Sequence, residues 1–103
     1  MRAVKRRRAT RDIDEHAANI ASHNPRTAYR FLEMVEEILD VLGRHPRIGS
    51  PRFHHTVSGL RAFPVRSFES HIALYFIAGG RVQAVRIVHG ASDLEEPLEG
   101  PWT

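Results

Sequence analysis

The segment from Asn24 to Pro46 constrains this chain most. Ala28, Phe31, Leu32, Val35, Ile38, Leu39 and Leu42 recur at three- and four-residue spacing, which is one continuous apolar stripe on a helix. Arg30, Glu33, Glu36, Glu37 and Asp40 fall on the opposite face. Asn24 can cap this helix, and Pro25 suits its first position, where a missing N–H costs nothing. Gly43 reads as the residue that ends it, and Pro46 bars continuation. A helix with one apolar stripe needs a second layer to cover it, so the rest of the chain must supply that layer.

Residues 11–22 predict a second helix that packs beside the first. Ile13, Ala17, Ile20 and Ala21 share a face, and Ala17, Ala18 and Ala21 permit close approach. Thr10 reads as the N-cap, with Asp12, Asp14 and Glu15 near the positive end of the dipole. His23-Asn24-Pro25 breaks the two helices into a hairpin with a two-to-three residue turn. Residues 2–8 predict a weak, basic strand whose long side chains lay aliphatic stems on the core.

After a Pro- and Gly-rich loop over 44–59, three strands follow. Residues 60–66 form one, placed at an edge or a bulge by Pro64. Residues 71–77 are apolar on both faces and predict a central strand. Gly79-Gly80 supplies a tight hairpin, and 81–88 returns as the last strand. The order is β-α-α-β-β-β, an α+β fold with a helical hairpin on one face of a small, mainly antiparallel sheet. The other face is expected to be free and to carry the arginines. Residues 1–95 are expected to form a single domain, and 96–103 a mobile acidic tail.

With 103 residues and no cysteine, one core is expected, without disulfides or thiolate metal sites. No apolar run is long enough for a membrane span, and no apolar stretch follows the basic start as in a secretion signal. A cytoplasmic protein is expected. The net charge of +3 hides segregation. Residues 1–11 hold six bases and no acid, and 12–40 hold two bases against seven acids. Residues 41–92 hold seven arginines against Glu69, and 93–103 hold four acids and no base. Basic surfaces suit an acidic partner, nucleic acid or polypeptide.

Seven histidines occur, but none in a ligand spacing such as HExxH, so no metal and no cofactor are expected. Phosphate-binding loops and serine-nucleophile motifs are missing. What remains is an arginine set, Arg61 and Arg66 on one strand and Arg81 and Arg86 on another, with His71 and His89 near strand ends. Arginines could stabilise charge on phosphorus, and a histidine could move the proton. Arg61, Arg86 and His89 are therefore the catalytic candidates for a ribonuclease. A basic docking surface without chemistry is the preferred reading, because no second acid or base joins the group.

The ordered set of segments resembles the RelE/ParE toxin superfamily. It comprises Ala9-Thr10-Arg11-Asp12-Ile13, then Asn24-Pro25 with Ala28 and Phe31-Leu32, then Leu42 with Pro46 and Gly49. Gly59-Leu60-Arg61, His71-Ile72-Ala73-Leu74-Tyr75-Phe76 and Val85-Arg86-Ile87-Val88-His89-Gly90-Ala91 with Asp93 complete it. The resemblance spans roughly residues 2–95 and implies the same β-α-α-β-β-β fold. It also implies a type II toxin neutralised by a cognate antitoxin, of the ribbon-helix-helix, ParD-like kind. ParE-like members poison DNA gyrase, and RelE-like members cut mRNA on the ribosome.

The gyrase branch is the expected one. The ribonucleases commonly carry an arginine where Ile72 stands and a tyrosine where Gly90 follows His89. One departure touches the ParE pattern too, since Ser92 stands where an arginine is usual. The expected target contacts are Arg81, Arg86, His89 and Asp93. The expected antitoxin contacts are Arg61, Arg66, Phe31 and Val35. No sequence-specific DNA binding by the chain alone is expected. The alternatives are a ribosome-dependent endoribonuclease and an inactive antitoxin-binding paralogue.

Overall fold

The chain changes from strand to helix at a single residue, Arg6. In this computed structural model, which describes residues 1–51 and 59–90, strand β1 covers Arg2–Lys5 and helix α1 covers Arg7–Ala21. Arg6 N–H donates to Ala84 O (2.9 Å), and Arg6 O accepts from Thr10 N–H (3.0 Å). One extended residue thus closes the ladder and opens the helix, with no side-chain cap. The expected strand over 2–8 is shortened, and Thr10 lies within α1 rather than capping it. Asp12 then lies beyond the first turn, which holds no acid.

Helix α2 covers Pro25–Arg44. Its cap is the expected one: Asn24 Oδ1 accepts from Thr27 N–H (3.2 Å), with Pro25 at the first turn. Phe31, Val35, Ile38, Leu39 and Leu42 are buried. Gly43 does not end the helix but lies within it. A Cβ there would come 2.7 Å from the Met1 carbonyl oxygen, so glycine lets the N-terminal backbone cross the helix closely. Helix α1 packs on α2 through the expected short turn, Ser22–Asn24.

The sheet contains β2 (Ser50–Pro51), β3 (Arg61–Val65), β4 (Phe68–Ala78) and β5 (Arg81–His89) in addition to β1. Its order is β1-β5-β4-β3-β2. Only the β1–β5 pairing is parallel. This is the expected mixed, mainly antiparallel sheet, with a two-residue strand added within the 44–59 loop. Of the two alternatives expected from Pro64 the bulge is the one found, since the register shifts between Pro64 and Val65, whereas β3 is an inner strand with the short β2 outside it. Gly79 and Gly80 both have positive φ, 62° and 71°, as the two-residue β4–β5 hairpin requires.

Two apolar clusters result. The larger joins both helices to the sheet through Phe31, Leu42, Val65, Tyr75, Val82 and Ile87. A second contains Leu60, Ala62, Leu74, Val85 and Val88, with Ile72 and Phe76 against it. The expected free face lined with arginines is therefore corrected. β-strand alternation in β3, β4 and β5 gives the sheet a second apolar surface, and its members Leu60 and Leu74 are buried.

Candidate functional site

The polar residues of interest gather where the middle of α1 meets the start of β4 and the end of β5. Asp12 is only 3% exposed and is the hub. Its Oδ2 accepts from Arg86 Nε (2.6 Å) and from Ile87 N–H (3.0 Å). Its Oδ1 accepts from Arg86 Nη2 and Arg8 Nε, each at 3.2 Å. The fork of Arg86 matches the carboxylate with two donors, the stronger form of a charged pair. A bulge makes this possible. Val85 and Arg86 together oppose the single step from Leu74 to Tyr75, and such an extra residue re-aims a side chain.

One helical turn on, His16 lies against the same strand, its Nε2 2.9 Å from Ile87 O. His71 and His89 are paired in register across β4 and β5. The three imidazoles converge, with centroids 4.9 Å apart for His16–His71 and 4.4 Å for His71–His89. Phe31 and Phe68 close the cluster from beneath. Burial, then the neighbouring His16 and His89, push the His71 pKa down to about 4, against a smaller upward effect of a backbone hydrogen bond at Phe68. His71 Nδ1 is buried with no hydrogen-bond partner. Among the described residues no group of three or more His, Asp or Glu side chains could hold a metal ion.

A second polar arrangement fixes the loop after α2. Tyr75 Oη donates to Pro46 O (2.7 Å) and accepts from Gly49 N–H (2.9 Å). Arg61 Nη1 donates to Gly49 O (2.8 Å) and Arg47 O (3.2 Å). Burial raises the Tyr75 pKa, partly offset by the Gly49 N–H and by Arg61. Ile48 stands exposed on this braced loop.

The ribonuclease candidates do not form one site. Arg86 is folded inward onto Asp12, Arg61 is stapled to loop carbonyls, and His89 belongs to the histidine cluster. Arg61 pairs with Tyr75 and His89 with His71, so they sit four residues apart along β4, roughly 13 Å, on opposite sides of that strand. The expected target contacts are divided as well. Arg81 is exposed at the start of β5 and His89 ends it, roughly 25 Å away at strand rise. Arg86 is not a free surface group, and Asp93 lies outside the described residues, as does the 96–103 tail.

The expected antitoxin contacts need a parallel correction. Phe31 is fully buried and Val35 nearly so, because both face the sheet from α2, and neither can meet a partner in the folded chain. Arg66 is exposed and makes a long pair with Glu37 (3.4 Å). The helical hairpin offers a different surface. A shallow apolar groove of about 260 Å³ runs between α1 and α2, lined by Ala17, Ala18, Ala21, Ala28, Tyr29 and Leu32. Tyr29 is 70% exposed beside it. The run of small residues Ala17, Ala18 and Ala21 carries the signal in the sequence, where it indicates close helix contact but not an open groove.

A helical hairpin laid on a mainly antiparallel sheet with one parallel edge strand defines a small α+β protein of the β-α-α-β-β-β kind, here with the two-residue β2 added after α2. A chain of the solved structure described as the chromosomal ParDE TA system from P. aeruginosa has this fold. It superposes with a TM-score of 0.72 at 22% identity, covering 87% of this chain and 97% of that one. No curated protein is significantly similar in sequence. The family model described as ParE toxin of type II toxin-antitoxin system, parDE, matches residues 4–94. The chain belongs to this ParE toxin family.

Proposed function

We propose that this chain is the toxin of a type II pair and arrests growth in the cytoplasm by binding DNA gyrase, not by cutting mRNA. A cognate antitoxin of the ribbon-helix-helix, ParD-like kind neutralises it. The observation that carries the choice between binding and cleavage is the commitment of Arg86 and Arg61. The two guanidiniums among the ribonuclease candidates are engaged by Asp12 and by loop carbonyls. Electrostatic stabilisation of a transition state needs donors aimed at an open position where charge develops.

The antitoxin seat in this reading is the apolar groove of the helical hairpin, with Tyr29 as anchor. An amphipathic segment laid in such a groove is a recurrent recognition mode. The outward charges of α2 and the exposed Arg66 would form its polar rim. The target contacts in this reading include Arg81, which pairs in register with Arg2 at one end of the sheet.

Induction in growing cells, with DNA and protein synthesis followed in parallel, tests the proposal. Loss of DNA synthesis with filamentation, and inhibition of supercoiling by purified toxin, are expected. Immediate translation arrest with site-specific mRNA cleavage on purified ribosomes would overturn the gyrase assignment. Failure of any adjacently encoded small protein to copurify would count against the paired toxin.

A further inference from the structure

We propose that His16, His71 and His89 form an acid-sensitive joint that holds the second half of α1 on the ends of β4 and β5. The three rings converge with His71 in the middle, and His71 is the one whose surroundings disfavour a charge. His71 lies within 4.9 Å of His16 and 4.4 Å of His89, centroid to centroid. Phe31 from α2, at 4.9 Å, and Phe68 on its own strand also pack against it. Nδ1 of His71 is buried without a hydrogen-bond partner, and the only upward influence on the ring, from the Phe68 backbone, is outweighed by burial and by the two imidazoles.

No carboxylate compensates among the described residues. On α1 the nearest acid in sequence to His16 is Glu15, which pairs with Arg11 at the surface. Asp12, one turn back, is filled by Arg86, Arg8 and the Ile87 N–H. On β4 the Glu69 carboxylate accepts from Ser67 N–H (2.6 Å). α2 presents the apolar Phe31, and β5 presents His89 itself. Among the described residues a proton added to His71 therefore meets two imidazoles and two phenyl rings with no carboxylate beside them, and partly burying such a charge is costly.

The sign follows from linkage. The folded chain keeps His71 neutral while the unfolded chain protonates it near pH 6.5. Below that pH the unfolded state binds more protons, so stability is complete above about pH 6.5 and falls as the pH drops toward 4. On α1 the cluster is represented by His16, which directly precedes Ala17 and Ala18 and lies little more than one turn from Ala21. Those alanines form one wall of the hairpin groove, so acid loosening at His16 would reach that wall.

Urea unfolding of the purified chain at pH 7.5 and pH 5.0 tests the joint, with imidazole titration by nitrogen–proton NMR. The wild-type midpoint should fall by on the order of 1 M between the two pH values. H71F keeps an aromatic ring among Phe31 and Phe68 and should remove most of that fall. H23Q, at the exposed hairpin turn, should leave it intact. In the wild type, the His71 ring should remain neutral at pH 5.5, and H89Q should raise its titration midpoint. Equal pH slopes in wild type and H71F would overturn the proposal. If H71F does not fold, titration of wild-type His71 near pH 6.5 would overturn it equally.

Discussion

Asp12 shows how much a single residue can conceal in a sequence. By position it looks like a dipole-compensating acid at a helix start, yet it is the buried receiver of four hydrogen bonds from α1 and β5. Arg86 looks like a spare surface cation in a largely apolar strand, yet it is largely covered and locked to Asp12. Removing one partner of a buried pair leaves the other charge uncompensated and costs about 3–5 kcal/mol. Arg86→Ala should therefore destabilise the chain by at least 2–3 kcal/mol on that scale, far above the roughly 0.5 kcal/mol of a surface change. Equilibrium urea unfolding measures it, and a cost below 0.5 kcal/mol would show that the pair contributes nothing. Any loss of toxicity in this variant then reports the fold before it reports a target contact. The pair was not legible because charge and spacing alone cannot tell which acid a bulge will bring beneath which arginine. Tyr75 teaches the converse: its apolar run was read correctly as central strand, while its hydroxyl partners, 26 and 29 residues away, carry no local signal.

At the scale of elements, periodicity served well where burial is one-sided. The stripe of α2, its Asn24 cap, the Gly79-Gly80 hairpin and the central β4 all follow from spacing and turn chemistry, because each is fixed by residues close in sequence. Failures lie where tertiary contact decides. α1 starts four residues earlier than its acids suggest because Ala84 O takes the Arg6 N–H. Gly43 serves close passage of the N-terminus, not helix termination. The loop after α2 offered only Pro and Gly signals, and its order comes from Tyr75 and Arg61. Two variants test that brace. Tyr75→Phe leaves the Gly49 N–H and Pro46 O without their partner, at about 1–3 kcal/mol. In Gly49→Ala a Cβ would stand 2.5 Å from Tyr75 Oη, so overpacking should cost a further 1–3 kcal/mol or so. Thermal unfolding should rank both below wild type. The double variant should lose less than the sum, since the two changes share one contact. Strict additivity would mean that the loop is held by something other than this hydroxyl.

For the whole molecule, the fold holds two distinct surfaces. The hairpin groove with Tyr29 lies on the outer side of the helical layer, and Arg2 and Arg81 lie together at one end of the sheet. If the groove seats the antitoxin and the sheet end touches the target, the two activities respond to different substitutions. Tyr29 is exposed, so its removal leaves the core intact and should change stability by no more than about 0.5 kcal/mol. An exposed aromatic beside an apolar groove has the character of an interface anchor, whose truncation costs about 2 kcal/mol or more, roughly thirtyfold in affinity. Tyr29→Ala should thus weaken antitoxin capture at least tenfold by calorimetry on that scale, with growth inhibition by the toxin alone unchanged. Cells making both proteins should then suffer more from this variant than from wild type. Arg81→Ala should behave oppositely, binding antitoxin as before and inhibiting growth less. Rim charges act largely through electrostatic attraction, so its effect should shrink as ionic strength rises in a supercoiling assay. If Tyr29→Ala instead lost toxicity and kept the antitoxin, the helical layer would be the effector surface, and the assignment of the two faces would be reversed.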